Sequence, residues 1–305
     1  MAETYILYNP CADGAEAQTA VKALQEENAG AVLINICRIS SYAAFFNGLE
    51  PEAAVILCGG DGTLNRFVND IAGVEVKNKL YYFPTGTGND LARDIGQTPF
   101  SSPAVCLDPY VQDLPAVNVN GMSRLFLNNV GFGIDGYCCE VGERLREDNK
   151  KRKAPKPINY TRIAVTGLLF HYAPKNAVVT VDGKRHTYKK VWLATVMNGR
   201  FYGGGMMPTP HQNRLRKDGK ISVLIFHDVG KLRALMIFPS MFSGKHLKHT
   251  GQMTVLEGST VQVEFDRSAP LQIDGEVVRD VTAYTASAAQ GGKKSRTAAA
   301  VSAEK

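Results

Sequence analysis

Over the first third of the chain, short apolar runs alternate with helically spaced ones. Residues 5–8 read as a strand that stops at Asn9-Pro10, residues 31–36 as a second strand, and residues 55–58 as a third that runs into Gly59-Gly60. Residues 18–27 read as a helix. In residues 64–71, Leu64, Phe67, Val68 and Ile71 recur at i, i+3, i+4 and i+7, the spacing of one helix face. Residues 80–83 give a fourth strand ending at Pro84. This alternation predicts a doubly wound α/β domain over residues 1–115, with a parallel sheet covered by helices.

The pattern changes near Pro115. Strand-like runs follow at 125–130, 178–181, 191–197, 221–226, 261–265 and 271–273. Residues 178–197 read as a hairpin turning at Asp182-Gly183, and residues 261–273 as another. Helical stretches interrupt at 158–171 and 232–242, the second broken by Pro239 and read as buried. A β-rich domain, antiparallel and sandwich-like, is therefore expected over 116–280. A weak last strand within 279–286 is expected to return to the first domain. From Ser287 the chain turns small and polar, and disorder is expected there.

Bulk composition narrows this little. The chain has 305 residues, 44% of them apolar, and a formal net charge of +6. That balance suits contact with phosphates or anionic lipids and is equally ordinary for a soluble protein. No nucleic-acid partner is expected. The six cysteines form no C-x-x-C pair and no zinc spacing, which fits a reducing compartment. The opening residues lack a signal-peptide pattern, and no apolar run nears the roughly 20 residues that span a bilayer. The expectation is a cytoplasmic protein with only peripheral membrane contact.

Two loops carry the candidate chemistry. Gly59-Gly60-Asp61-Gly62-Thr63 joins a strand to a helix, where glycines let backbone N–H groups approach phosphate and the helix start favours negative charge. Asp61 can manage a magnesium ion or its waters; Thr63 and Asn65 can cap the helix or bond phosphate oxygens. One strand later, Pro84-Thr85-Gly86-Thr87-Gly88-Asn89-Asp90 repeats the logic. Thr87 offers a hydroxyl, Asp90 could join Asp61 at magnesium, and Asn89 and Asp90 could equally be helix caps. Neither loop is a Walker A sequence. Both lie at strand carboxyl ends, where ligands of doubly wound sheets bind.

With the run to Arg93, these loops resemble the diacylglycerol kinase catalytic family, which includes sphingosine, ceramide and bacterial lipid kinases. Further likenesses are Asn9-Pro10, the stretch from Met197 to Met206, Asp218-Gly219-Lys220-Ile221 and Ile273-Asp274-Gly275-Glu276. The resemblance covers residues 5–280 in order. It implies that ATP, with Mg2+, is held by Asn9, Pro10, Gly59, Gly60, Asp61, Gly62, Thr63, Leu64, Asn65, Arg66, Gly86, Thr87, Asn89 and Asp90. It implies that Glu276 is the general base and Asp61 a second catalytic residue. It also implies a structural magnesium on Asp218 and the carbonyls of Leu215 and Lys220. The chain departs from the family at Cys11 and Asp13 in the opening loop and at Arg66, where relatives often carry Glu.

The expected activity is transfer of the ATP γ-phosphate to the hydroxyl of diacylglycerol in the bilayer, giving phosphatidic acid. Other lipid alcohols, namely a sphingoid base, ceramide, undecaprenol or phosphatidylglycerol, are the alternatives, with a NAD kinase-like enzyme and a non-catalytic nucleotide-binding regulator behind them. An anionic membrane surface is the expected partner, and a homodimer is left open. Seven basic residues between Arg144 and Lys156 are read either as a membrane-docking segment or as a solvated loop. The alternative to a buried helix at 232–242 is a membrane-facing lip.

Overall fold

The computed structural model describes residues 3–10, 14–101, 103–152, 156 and 158–289. Its contacts divide the chain into two compact units that meet in sequence between Leu114 and Pro115.

The first unit is built from β1 (Thr4–Tyr8), α1 (Ala15–Glu27), β2 (Val32–Asn35), α2 (Tyr42–Asn47), β3 (Ala54–Gly59), α3 (Asp61–Asp70), β4 (Lys79–Pro84), α4 (Asp90–Asp94), β5 (Val105–Cys106) and α5 (Asp108–Val111). The sheet order is β2-β1-β3-β4-β5, parallel except for the antiparallel edge strand β5. Ile6 on β1, Ile56 and Cys58 on β3, and Phe83 on β4 pack with Val21 and Leu24 of α1 into one core. The helix α2, absent from the sequence reading, begins where Ser41 Oγ accepts from the Ala44 N–H. It then buries Phe46 against Phe67 of α3.

The second unit contains β6 (Ala116–Val119), β7 (Met122–Leu125), β8 (Asn129–Gly133), α6 (Ile134–Lys150), α7 (Tyr160–Thr166), β9 (Lys175–Val181), β10 (Lys184–Val191), β11 (Leu193–Met197), β12 (Ile221–Phe226), α8 (Lys231–Ile237), β13 (Met253–Gly258), β14 (Thr260–Ile273) and β15 (Glu276–Ser287). A π-helical turn, Gly167–His171, extends α7. A 3-10 turn, Phe238–Ser243, extends α8. Every strand pairing is antiparallel, in the order β13-β12-β11-β8-β14-β15-β6-β7, with β9 joining β14 to β10. The first half of β14 pairs with β9 through residues 261–265 and its last residues pair with β8 through residues 271–273. A bulge between Glu264 and Leu271 lets the strand serve both layers of the sandwich. Val130, Phe132, Val179, Val196, Val223, Val263, Leu271 and Tyr284 fill the space between.

Four expectations change here. Residues 261–273 are one long strand, because the polar stretch Asp266-Arg267-Ser268 is a bulge where the strand bends instead of a turn where it reverses. The true hairpin turns at Asp274 and Gly275, both at positive φ. Residues 279–286 do not return to the first unit: β15 pairs with β14 and then with β6. The run at 125–130 straddles a break between β7 and β8. The 17-residue helix α6 was hidden because it packs through glycines more than through an apolar stripe. A Cβ on Gly136 would stand 2.1 Å from the Pro270 carbonyl, and one on Gly142 would meet the Tyr160 ring at 2.6 Å. The expected disorder from Ser287 falls, from residue 290 on, outside the described residues, as do Cys11 and Asp13.

Asp135, in the first turn of α6, is buried. Its carboxylate accepts from the Gly136 N–H at 2.7 Å and from Gln272 Nε2 at 3.3 Å. Burial pushes its pKa up to about 6. An acid raised in this way supports the fold fully at low pH and loses that support as pH climbs through the folded value. Between about pH 5 and pH 7.5 the loss is roughly 1–2 kcal/mol. His246 opposes it. Burial lowers its pKa, so its contribution grows as pH rises towards the ordinary histidine value. The parent is therefore expected to lose stability relative to Asp135→Asn over that window. Urea midpoints measured at both pH values check this, and parallel pH profiles for the two proteins would exclude it.

Candidate functional site

In the first unit, both glycine loops end strands that lie side by side. The Gly59 carbonyl accepts from the Thr85 N–H and from the Tyr82 hydroxyl, both at 3.0 Å, which ties the exit of β3 to the exit of β4. The loops then touch backbone to backbone. A Cβ on Gly86 would stand 2.3 Å from the Gly60 Cα, and one on Gly60 would stand 2.9 Å from the Gly86 Cα. Only glycine at both positions permits this approach. Gly86→Ala is therefore expected to cost this unit about 1–3 kcal/mol by overpacking. Gly62→Ala, whose Cβ meets open space on helix α3, is expected to keep stability or raise it slightly. Urea unfolding of both variants tests the contrast.

Asp61 begins α3, and its carboxylate reaches across to the next helix. Oδ2 accepts from the Asp90 N–H at 2.8 Å and Oδ1 from the Leu91 N–H at 3.1 Å. One loop's acid thus caps the other loop's helix. Asn89 stands at φ 48°, a left-handed conformation that asparagine tolerates. Its side chain closes a ring with the Gly86 backbone, accepting from the Gly86 N–H and donating to the Gly86 carbonyl. Asp90 is buried and pairs with Arg93 at 2.8 Å. Asn9 donates to Thr63 Oγ1 at 3.3 Å, which brings the β1 exit to the same loop. Gly62, Arg66 and Thr87 are exposed, and Pro10 is half-buried. Leu64 and Asn65 are buried, so they present backbone more than side chain. Arg66 pairs with Asp70 at 3.7 Å on the outside of α3.

The second unit holds the other predicted residues. Glu276 opens β15, is half exposed, and accepts from Arg124 at 2.7 Å. The turn before it is clamped. Asp274 accepts from the N–H groups of Leu127, Asn128 and Asn129 at 2.5, 2.8 and 2.9 Å, and its own N–H donates to the Asn129 carbonyl. Gln272 holds the Gly275 N–H at 2.9 Å. Asn128 is bonded in turn by Arg214, and Asn198 donates to the Leu127 carbonyl. This clamp escaped the sequence reading. Its one visible signal was Asn128-Asn129 inside an apolar run, where buried polar side chains require partners.

Asp218 lies on an exposed turn between Leu215 and Lys220. Both of its oxygens bond Arg216, at 2.6 and 2.8 Å, and Arg216 also bonds Glu257. The Arg216 guanidinium holds both carboxylates below their usual pKa range. A cation on Asp218 would have to compete with that guanidinium. Among the described residues, no group of three or more His, Cys, Asp and Glu side chains is placed to hold a metal. In the first unit the missing side chain of Gly88 leaves a space bordered by Asp61 Oδ2 at 3.2 Å and Asp90 Oδ2 at 3.9 Å from where a Cβ would be. Arg93 already pairs with Asp90 at 2.8 Å and donates to the Gly88 carbonyl, so a hydrated cation between these two carboxylates would share Asp90 with that guanidinium.

The comparisons with known proteins agree with this division. Residues 3–113 match the model of the diacylglycerol kinase catalytic domain, and residues 129–290 match that of the YegS C-terminal NAD kinase beta sandwich-like domain. A diacylglycerol kinase of Mycobacterium tuberculosis (strain CDC 1551 / Oshkosh) is 25% identical over 217 residues, covering 69% of this chain. The chain spans 66% of that relative's length, just under two thirds. A diacylglycerol kinase crystal structure from Bacillus anthracis str. Sterne superposes with TM-score 0.59 at 17% identity, over 95% of this chain and 94% of that one. Another crystal structure from the same strain gives TM-score 0.64 at 20% identity, over 95% of each chain, so the fold is shared across both units. A family model for each unit, in the right order and on the residues that build the two loops and the clamped turn, shows that the chain belongs to the diacylglycerol kinase catalytic-domain family.

Proposed function

We propose that the protein is an ATP-dependent lipid kinase that transfers the γ-phosphate to the hydroxyl of diacylglycerol, giving phosphatidic acid. The observation that carries this reading is the pair of glycine turns packed backbone to backbone, with Asp61 of one bound to the amides of the other. Such a pre-formed edge of small residues and helix starts suits a polyphosphate. Magnesium, entering with ATP, would be held by Asp61 and Asp90 and would offset phosphate charge.

Phosphoryl transfer asks for positioning more than covalent chemistry. In this reading the loops orient the triphosphate, and Glu276 accepts the proton of the lipid hydroxyl. Arg124 fixes the carboxylate's direction and Asp274 fixes the turn that carries it. The test is to incubate the full chain with γ-labelled ATP, magnesium and lipid alcohols in mixed micelles, with NAD as a soluble competitor. Labelled phosphatidic acid is expected. Label only on a sphingoid base, ceramide, undecaprenol or phosphatidylglycerol would replace the acceptor, and label only on NAD would overturn the lipid assignment.

A further inference from the structure

Among the described large apolar side chains, three are exposed far more than the rest: Phe170 at 72%, and Leu232 and Met236 at 73% each. They share one layer of the second unit. Leu232 and Met236 are i and i+4 on α8, so they form one face, while Ala234 and Ile237 turn inward. Phe170 sits on the π-helical turn, whose Leu168 is buried in the same core as Ala234 and Ile237. Lys231 Nζ donates to the Leu169 carbonyl at 3.4 Å, which places the start of α8 beside Phe170. Phe242, 50% exposed, follows on the 3-10 turn. The expectation that 232–242 is simply buried is thus corrected for its outer face.

The segments that carry these side chains are charged with one sign. Residues 149–181 and 229–256 contain no Asp or Glu at all. Lys231, Arg233, Lys245 and Lys248 are all exposed. The basic run on α6 is different: Arg144 pairs with Glu140 on its own helix, and Arg279 of β15 binds Glu140 and Glu143. Large apolar side chains projecting from basic segments without acids match the two layers of a bilayer surface, acyl chains below and anionic headgroups above. We infer that the α8 face with Phe170 docks on an anionic membrane. The choice of a membrane over a protein rests on the proposed lipid acceptor as well as on this charge complementarity.

The experiment uses the full chain with vesicles of phosphatidylglycerol and phosphatidylcholine in equal parts, against vesicles of phosphatidylcholine alone. Phe170→Trp supplies a reporter, because the native Trp192 is buried. Its emission is expected to shift to the blue on anionic vesicles and to be quenched by lipids brominated in the acyl chain. The triple variant Phe170→Ser, Leu232→Ser and Met236→Ser is expected to bind anionic vesicles at least tenfold more weakly at unchanged thermal stability. Phosphorylation of a water-dispersed short-chain diacylglycerol is expected to persist while turnover on vesicles falls. An unquenched reporter in the Phe170→Trp variant, or vesicle binding by the triple variant equal to the parent, would overturn the inference. So would unchanged vesicle binding accompanied by altered self-association in sedimentation velocity, which would make the face a protein interface. If the parent phosphorylates no lipid, the proposed function fails, and quenching and vesicle binding still decide the docking surface.

Discussion

Glu276→Gln is expected to lower turnover about a thousandfold, within the range of general-base losses, while ATP affinity stays within about twofold of the parent. The substitution keeps size and shape. A glutamine oxygen can still accept from Arg124, which bonds the native carboxylate at 2.7 Å. The turn beneath it is set by Asp274 and the amides of Leu127 to Asn129, none of which the change touches. What disappears is the capacity to take a proton. Paired measurements of kcat and of ATP affinity by calorimetry separate the two effects. A kcat within tenfold of the parent would remove Glu276 from the chemistry.

Asp61→Ala is expected to abolish activity, with a loss of at least a hundredfold, for a reason that begins in the fold. Its carboxylate satisfies the N–H groups of Asp90 and Leu91, and both of those residues are buried. Orphaning two buried amides costs roughly 2–6 kcal/mol and releases the second glycine loop from the first. A carboxylate that served only a cation would behave otherwise, because excess magnesium would restore part of the rate. The expected outcome is loss of both ATP binding and stability, measured by titration and urea unfolding, without rescue by magnesium. Rescue would reduce Asp61 to a metal ligand, and full activity would remove it from the site.

How much of this could be read from the chain follows from how local each feature is. The β3-loop-α3 and β4-loop-α4 connections are legible because glycine, threonine and aspartate must occur at fixed offsets for a backbone to approach phosphate. The strand at 221–226 is legible because all six residues are apolar or small and all six are buried. The α6 helix was not, since Gly136 and Gly142 carry its packing. Nor was the bend in β14, because a polar bulge and a polar turn share the same residues. The clamp at Asp274 joins positions 145 to 147 residues apart, and the Arg124–Glu276 pair joins positions 152 apart. No local pattern encodes such partners. Arg216 was overlooked for the same reason: its link to Glu257 spans 41 residues and depends on β13 lying beside β12.

The central position of β14 has a consequence for how the protein comes into being. The strands β8 and β9 leave the ribosome more than 75 residues before β14, the strand to which both must hydrogen-bond. Until it is synthesised, their inward faces, Val130 and Phe132 on one and Val179 and Val181 on the other, lack the partner strand that completes their layer. Closing such distant pairings is slow, and unpaired strand edges invite association with other chains in the interval. A nascent chain ending at Ser259 would therefore be a natural client for chaperones, and the β14–β15 hairpin would act as the latch that releases it.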